Sequence, residues 1–122
     1  MKVLVVDDNQ ALLSMMGLLL EGEGHQALLF DSPIQAAFEA RTQAFDLLIT
    51  DVCMPQYSGR DLVDNVRLNR VNRNIPVLLI SAHPDAQDML GNLGRRSCFL
   101  RKPFNSKSFC SAVQDLQVGE VF

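Results

Sequence analysis

No apolar run in this chain approaches the roughly 18 residues of a membrane span. The first, Val3-Leu4-Val5-Val6, stops after four residues at Asp7 and Asp8, which also speaks against a signal peptide. There is no basic excess: 11 Lys and Arg face 14 Asp and Glu, for a net charge of −3. Direct binders of nucleic acid usually carry the opposite balance. Cys53, Cys98 and Cys110 are odd in number and show no CxxC or other metal-ligand spacing. They read as small apolar residues in a reducing compartment. Glycine-rich GxGxxG, a Ser/Thr/Gly phosphate loop after the first apolar run, internal repeats and low-complexity linkers are all missing, which disfavours dinucleotide and flavin carriers. The expectation is one cytoplasmic domain, residues 1–122, with no membrane segment and no direct nucleic-acid contact. A chain of 122 residues, 48% hydrophobic and 20% charged, has enough material for a single core.

Short apolar runs alternate five times with segments of helical period, which argues for a parallel sheet with helices on both faces. The first strand is expected over Lys2 to Val6. A helix follows from near Asn9, capped by Asn9 or Asp8, to about Glu21, with Leu12, Met16, Leu19 and Leu20 toward the core. Gly22 and Gly24 end it. Gln26 to Phe30 is the second strand. Ser32-Pro33-Ile34-Gln35 starts a helix, with Ser at N-cap and Pro at the first helical position, carried by Ala36, Ala37, Phe38 and Ala40 to about Gln43. Phe45 to Thr50, apolar on both faces, suits a central strand. Arg60 to about Arg70 reads as a helix burying Leu62, Val63 and Val66, with Arg60, Arg67 and Arg70 solvated. Val71 to Asn74 is a polar connection. Ile75 to Ile80 is a strand with Pro76 at its tolerant start. A weaker helix over Pro84 to Leu93, a strand over Cys98 to Leu100, and a helix from Asn105 or Ser106 burying Phe109, Val113 and Leu116 complete the chain. Right-handed crossovers then favour the flavodoxin-like order 2-1-3-4-5, an α/β three-layer sandwich with five helices.

Three of these strands end in charge. The first runs into Asp7 and Asp8, the third into Asp51, and the fifth into Lys102. In an open parallel sheet the ligand crevice lies outside the carboxyl ends of the strands where the order reverses, here between the first and third. Three carboxylates at contact distance repel one another unless a proton or cation intervenes. The pattern makes sense as a divalent-metal site with a counter-charge beside it.

Taken in order, Val5-Val6-Asp7-Asp8-Asn9, Asp51-Val52-Cys53-Met54-Pro55 with Gly59, Ser81-Ala82, and Lys102-Pro103-Phe104 resemble the receiver domain of two-component response regulators, over Lys2 to about Val118. The resemblance implies that Asp51 accepts a phosphoryl group from the phosphohistidine of a sensor kinase or phosphotransfer protein. It implies Mg²⁺, with Mn²⁺ as a substitute, on Asp7, Asp8, Asp51 and the backbone carbonyl of Cys53. Lys102 would hold a phosphoryl oxygen, through a Lys-Pro peptide that is typically cis in the family. Ser81 and Phe99 would be the switch pair, Ser81 swinging to the phosphoryl group and the Phe99 ring following inward; a helix-cap Ser81 and a plain core Phe99 are the alternatives. Cys53 and His83 flank the path of the hydrolytic water, and His83 is equally readable as a solvated loop residue.

Such a protein is a signalling switch that catalyses only its own phosphorylation and dephosphorylation. Its effector partner would bind the face of the fourth helix, fifth strand and fifth helix, and a phosphorylation-dependent homodimer is a further option. Arg95, Arg96 and Arg101 make that face basic, unlike most relatives, either as a solvated surface or as a charge-selective one. Two other functions compete. A haloacid-dehalogenase-type phosphatase would need Asp-x-Asp after the first strand, where Asp7-Asp8-Asn9 stands. A degenerate receiver would bind partners without phosphorylation.

Overall fold

The computed structural model describes residues 1–55, 57–83, 93 and 96–118. Five parallel strands form one sheet: β1 (Lys2–Val6), β2 (Gln26–Phe30), β3 (Leu47–Asp51), β4 (Val77–Ser81) and β5 (Ser97–Arg101). Their order is β2-β1-β3-β4-β5, as expected. Four helices are described: α1 (Gln10–Gly22), α2 (Pro33–Glu39), α3 (Gly59–Leu68) and α4 (Ser106–Val118), with a 3₁₀ turn at Arg70–Asn72. The helix expected over Pro84 to Leu93 lies, apart from Leu93, outside the described residues.

The two-residue period of the strands splits the core into two layers. Leu4, Val6, Leu48, Val77 and Leu79 face α2 and α3, meeting Ala36, Ala40, Leu62, Val63 and Val66. Val3, Val5, Leu47, Ile49, Leu78 and Ile80 face α1 and α4, meeting Leu13, Met16, Leu20, Phe109, Val113 and Leu116. Each fully buried aliphatic side chain of this kind contributes about 1.5–3 kcal/mol.

Several expectations need correction. The α1 stripe is centred on Leu13, Met16, Gly17 and Leu20, while Leu12 and Leu19 are only half-buried. Gly17 explains the shift: a Cβ there would stand 2.7 Å from the Leu29 side chain, so α1 lies tightly on β2 along that line. α2 ends at Glu39, short of Gln43, and buries the small Ala36 and Ala40 while Phe38 points outward. β3 begins at Leu47 and β4 at Val77, later than apolarity alone suggests; Phe45 and Ile75 are buried as flanking loop residues.

Arg67 is not solvated. It donates to the carbonyls of Leu93 (2.6 Å) and Ile75 (2.9 Å), tying α3 to the loops around β4 and β5. The polar connection after α3 also has a structural centre. Asn72, only 1% exposed, accepts from the Phe45 amide (2.9 Å) and donates to the carbonyls of Ala40 (2.9 Å) and Gln43 (3.1 Å). One side chain thereby satisfies three buried backbone groups of the α2–β3 loop.

Candidate functional site

Register brings the strand ends to one level. Val6 pairs with Thr50, Asp51 with Ile80, and Ser81 with Arg101, so Asp7, Asp51, Ser81 and Lys102 emerge side by side. Beyond β1 the chain turns sharply into α1. The Asn9 amide donates to Asp7 Oδ1 (2.8 Å), and Asn9 Oδ1 caps the helix by accepting from the Leu12 amide (3.1 Å). This side-chain turn is what aims Asp7 inward and leaves Asp8 exposed above it.

Asp51 ends β3 and is almost wholly buried. Its Oδ1 accepts from the Cys53 amide (3.2 Å) and its Oδ2 from Lys102 Nζ (3.1 Å). Lys102 Nζ also lies 3.3 Å from Asp7 Oδ2, an ion pair without hydrogen-bond alignment, so that buried oxygen has no hydrogen-bond partner. The Lys102 amide is held by the Ser81 carbonyl (2.9 Å), and the Lys102-Pro103 peptide is cis.

One carboxylate oxygen from each of Asp7, Asp8 and Asp51 lies within 4.8 Å of the others. Three carboxylates thus share one ammonium, and the electrostatics show the imbalance. Burial opposes the charge on Lys102, but the hydrogen bond to Asp51 and the charges of Asp51 and Asp7 outweigh it and hold the ammonium above its usual 10.5. Burial likewise raises Asp7 above its usual 3.8; the Asn9 amide and Lys102 pull it back without cancelling the rise, and Asp51 adds repulsion. An all-oxygen donor set with surplus negative charge and one unsatisfied buried oxygen fits a hard divalent cation such as Mg²⁺ or Mn²⁺.

Around this centre, Ser81 Oγ is buried, accepts from the His83 amide (3.0 Å) and lies 4.0 Å from Cys53 Sγ. Cys53 and His83 are exposed at the mouth. Phe99 pairs in register with Leu79 and packs half-buried against the α2–α3 layer of the core. The structure therefore gathers Asp7, Asp8, Asp51 and Lys102, sets Ser81, Cys53 and His83 beside them, and keeps Phe99 one layer away.

Gly59 carries a job that the sequence reading left unassigned. Its amide donates to the Val52 carbonyl (2.7 Å), and a Cβ would stand 2.5 Å from the Asp51 carbonyl oxygen. Only glycine lets α3 begin this close to the strand end. A glycine shortly before a helical pattern and eight residues past a strand-end aspartate was the available signal.

Comparison with known proteins gives a consistent answer. The description "response regulator receiver domain" matches residues 3–114. The DNA-binding response regulator MtrA of Mycobacterium tuberculosis (strain ATCC 25618 / H37Rv) is 29% identical over 114 residues, 93% of this chain and 49% of its own length. The signal transduction histidine-protein kinase BarA of Shigella flexneri is 34% identical over 108 residues, 88% of this chain and 12% of its own. The chain thus spans about half the length of the regulators it matches, and a smaller share of the kinase. Among solved structures, the Vibrio cholerae chemotaxis protein CheY4 superposes with a TM-score of 0.82 at 27% identity, covering 94% of this chain and 97% of that one. The receiver domain of the hybrid histidine kinase CckA gives 0.78 at 28%, covering 95% and 98%. Because the match runs through nearly every element described above, the chain belongs to the response regulator receiver family and is a phosphorelay signalling module of the two-component type.

Proposed function

We propose that residues 1–122 act as one receiver unit in which Asp51 is the phosphoacceptor. The supporting observation is the placement of Asp51 Oδ2 against Lys102 Nζ, within reach of Asp7 and Asp8, at the open end of the sheet. A carboxylate oxygen of Asp51 attacks phosphorus in the phosphohistidine of a kinase or phosphotransfer protein. An O–P bond forms, the N–P bond breaks, and the imidazole leaves with the bonding pair. The chain contributes position and charge, which is most of what phosphoryl transfer requires.

Asp7, Asp8, Asp51 and the Cys53 carbonyl would hold Mg²⁺, which supplies charge neutralisation for the incoming phosphoryl group. Lys102 supplies the second positive charge. Its ammonium already bridges Asp51 and Asp7, so it needs only to follow an oxygen of the phosphoryl group. At an effective dielectric near 20, unit charges about 4 Å apart attract by roughly 4 kcal/mol before desolvation.

Ser81 is suited to report the event. Among the described residues its hydroxyl proton meets the distant Cys53 sulfur, a weak acceptor, so turning it to a phosphoryl oxygen sacrifices little. The same oxygen accepts from the His83 amide, so its movement carries the segment after β4. Phe99, half-buried one strand over, is placed to repack in response. Cys53 is a poor orienter of a hydrolytic water and His83 a better one. Catalysis extends only to the protein's own phosphorylation and dephosphorylation. The output partner, an effector domain or protein, reads the β5–α4 side, where Arg96 and Arg101 are exposed.

The test is incubation with acetyl phosphate and Mg²⁺ followed by intact mass. One phosphoryl group is gained, and the gain is lost in Asp51→Asn and on adding a chelator. Unchanged mass across several small phosphodonors overturns the reading in favour of a phosphorylation-independent binding module.

A further inference from the structure

One buried hydroxyl in the sheet has an apolar setting that packing does not explain. Thr50, on β3, is wholly buried, and its in-register neighbours, Val6 on β1 and Leu79 on β4, are apolar. Two residues on from Leu48, it faces the α2–α3 layer of the core. Valine has the same outline and would bury there without the cost of desolvating a hydroxyl. The hydroxyl donates to the carbonyl of the next residue, Asp51 (3.0 Å).

That carbonyl stands where the sheet stops serving it. The peptide between Asp51 and Val52 sends its N–H to the Ile80 carbonyl on β4 (2.9 Å), so its C=O points the opposite way, toward β1. The pairing of β1 with β3 ends at Val6 and Thr50, one residue short of it. α3 begins directly over the same oxygen, since a Cβ on Gly59 would stand 2.5 Å away. The Thr50 hydroxyl satisfies this acceptor from within its own strand.

The consequence reaches the site. Two peptides join Asp51 to Cys53, and each is held at both ends. The first is held by the Ile80 carbonyl and the Thr50 hydroxyl. The second is held by the Gly59 amide, which donates to the Val52 carbonyl (2.7 Å), and by Asp51 Oδ1, which accepts from the Cys53 amide (3.2 Å). Of these four anchors, two are backbone groups and one is the reacting carboxylate itself. A carboxylate that becomes an acyl phosphate gives up its charge, and a hydrogen bond to it weakens. Thr50 is the remaining side chain that keeps this turn, and the Cys53 carbonyl with it, in place through the transfer.

We propose that Thr50 is a positioning residue for phosphoryl transfer, acting through the Asp51 carbonyl; this rests on the reading of Asp51 as the phosphoacceptor. Thr50→Val removes the hydroxyl and keeps the shape, whereas Thr50→Ser keeps the hydroxyl and removes a methyl group. Labelling by acetyl phosphate at saturating Mg²⁺, followed by intact mass, slows about threefold to tenfold in Thr50→Val. In Thr50→Ser it stays within about twofold of the parent chain. Thr50→Ala compared with Thr50→Ser removes the hydroxyl alone a second time, and the same ratio is expected there, including where Thr50→Val does not fold. In the metal-free protein, hydrogen exchange of the Cys53 amide, followed by NMR, rises at least about threefold in the variants without the hydroxyl and not in Thr50→Ser. Equal labelling rates with and without the hydroxyl overturn the proposal. So does Thr50→Ser slowed as far as Thr50→Val, which would make the role one of packing. A parent chain that gains no phosphoryl group overturns the Asp51 reading and this one with it, a failure told apart because it appears before any substitution.

Discussion

Gly59 packs onto the strand end that carries Asp51, so closely that the first carbon of any side chain would stand 2.5 Å from the Asp51 carbonyl oxygen and 2.9 Å from the Val52 Cα. Both obstacles are backbone and cannot swing aside. Gly59→Ala must push α3 away from β3 or bend the loop between them. The expected cost is about 1–3 kcal/mol, read from the urea midpoint. Phosphorylation by acetyl phosphate slows as well, because the displaced segment includes the Asp51–Cys53 hydrogen bond.

Removing the ammonium beside the acids tests the charge argument. Lys102→Ala leaves Asp7, wholly buried, facing Asp51 without its cation. Stripped of divalent metal, the variant loses about 1–3 kcal/mol at neutral pH. Adding Mg²⁺ recovers part of that loss, and a thermal melt with and without chelator reads the difference. At 100 times its dissociation constant, a ligand bound only by the folded state stabilises by about 2.7 kcal/mol. The same addition leaves Asp7→Asn/Asp8→Asn nearly unmoved.

Ser81→Ala separates acceptance from response. The variant still gains a phosphoryl group, because Asp51 and Lys102 keep their contacts. Stability falls by only about 0.5–1.5 kcal/mol with the lost bond from the His83 amide. The amide resonances after β4 and around Phe99 should shift less on phosphorylation than in the parent chain. Equal shifts in both proteins would remove Ser81 from the switch.

Asn72→Ala removes three hydrogen bonds at once and leaves the Phe45 amide and two loop carbonyls buried without that partner. A loss of about 2–4 kcal/mol is expected in urea denaturation. Acetyl phosphate labelling below the midpoint remains, since the site is at the opposite end of the sheet.

His25 sets a pH dependence. Burial, and next the neighbouring Met1 ammonium, hold its imidazolium below the ordinary 6.5, with Glu23 opposing; Nδ1 lies 2.9 Å from that ammonium. The folded state therefore binds this proton less readily than the unfolded chain. The associated stability is complete above 6.5 and is lost as pH falls through 6.5 toward the lower folded value. Urea midpoints taken from about pH 8 down to about pH 5 decline in the parent chain and decline less in His25→Gln.

Strand identity and order were readable in the residues because a central parallel strand has to be apolar on both faces, and each one here stops at a polar or charged residue. The same rule located Asp7, Asp8, Asp51 and Lys102, since a strand end in such a sheet has only one crevice to open onto. Helix starts were legible for a local reason: Asn9 and Ser32 cap through side chains three residues from the amides they satisfy. What periodicity left undecided was which apolar side chains a helix would turn inward. α1 rotates because Gly17 lets it seat on Leu29, and α2 presents Ile34 and Phe38 outward while Ala36, with Ala40 just past its end, packs inward. The burial of Arg67 and Asn72 was equally hidden, because their partners are carbonyls on loops distant in the chain, and a backbone carbonyl leaves no mark in a sequence. Local side-chain chemistry and strand apolarity thus determined the sheet and its acidic crevice. Packing between elements far apart in the chain decided the rest, including which apolar side chains of α2 stay exposed.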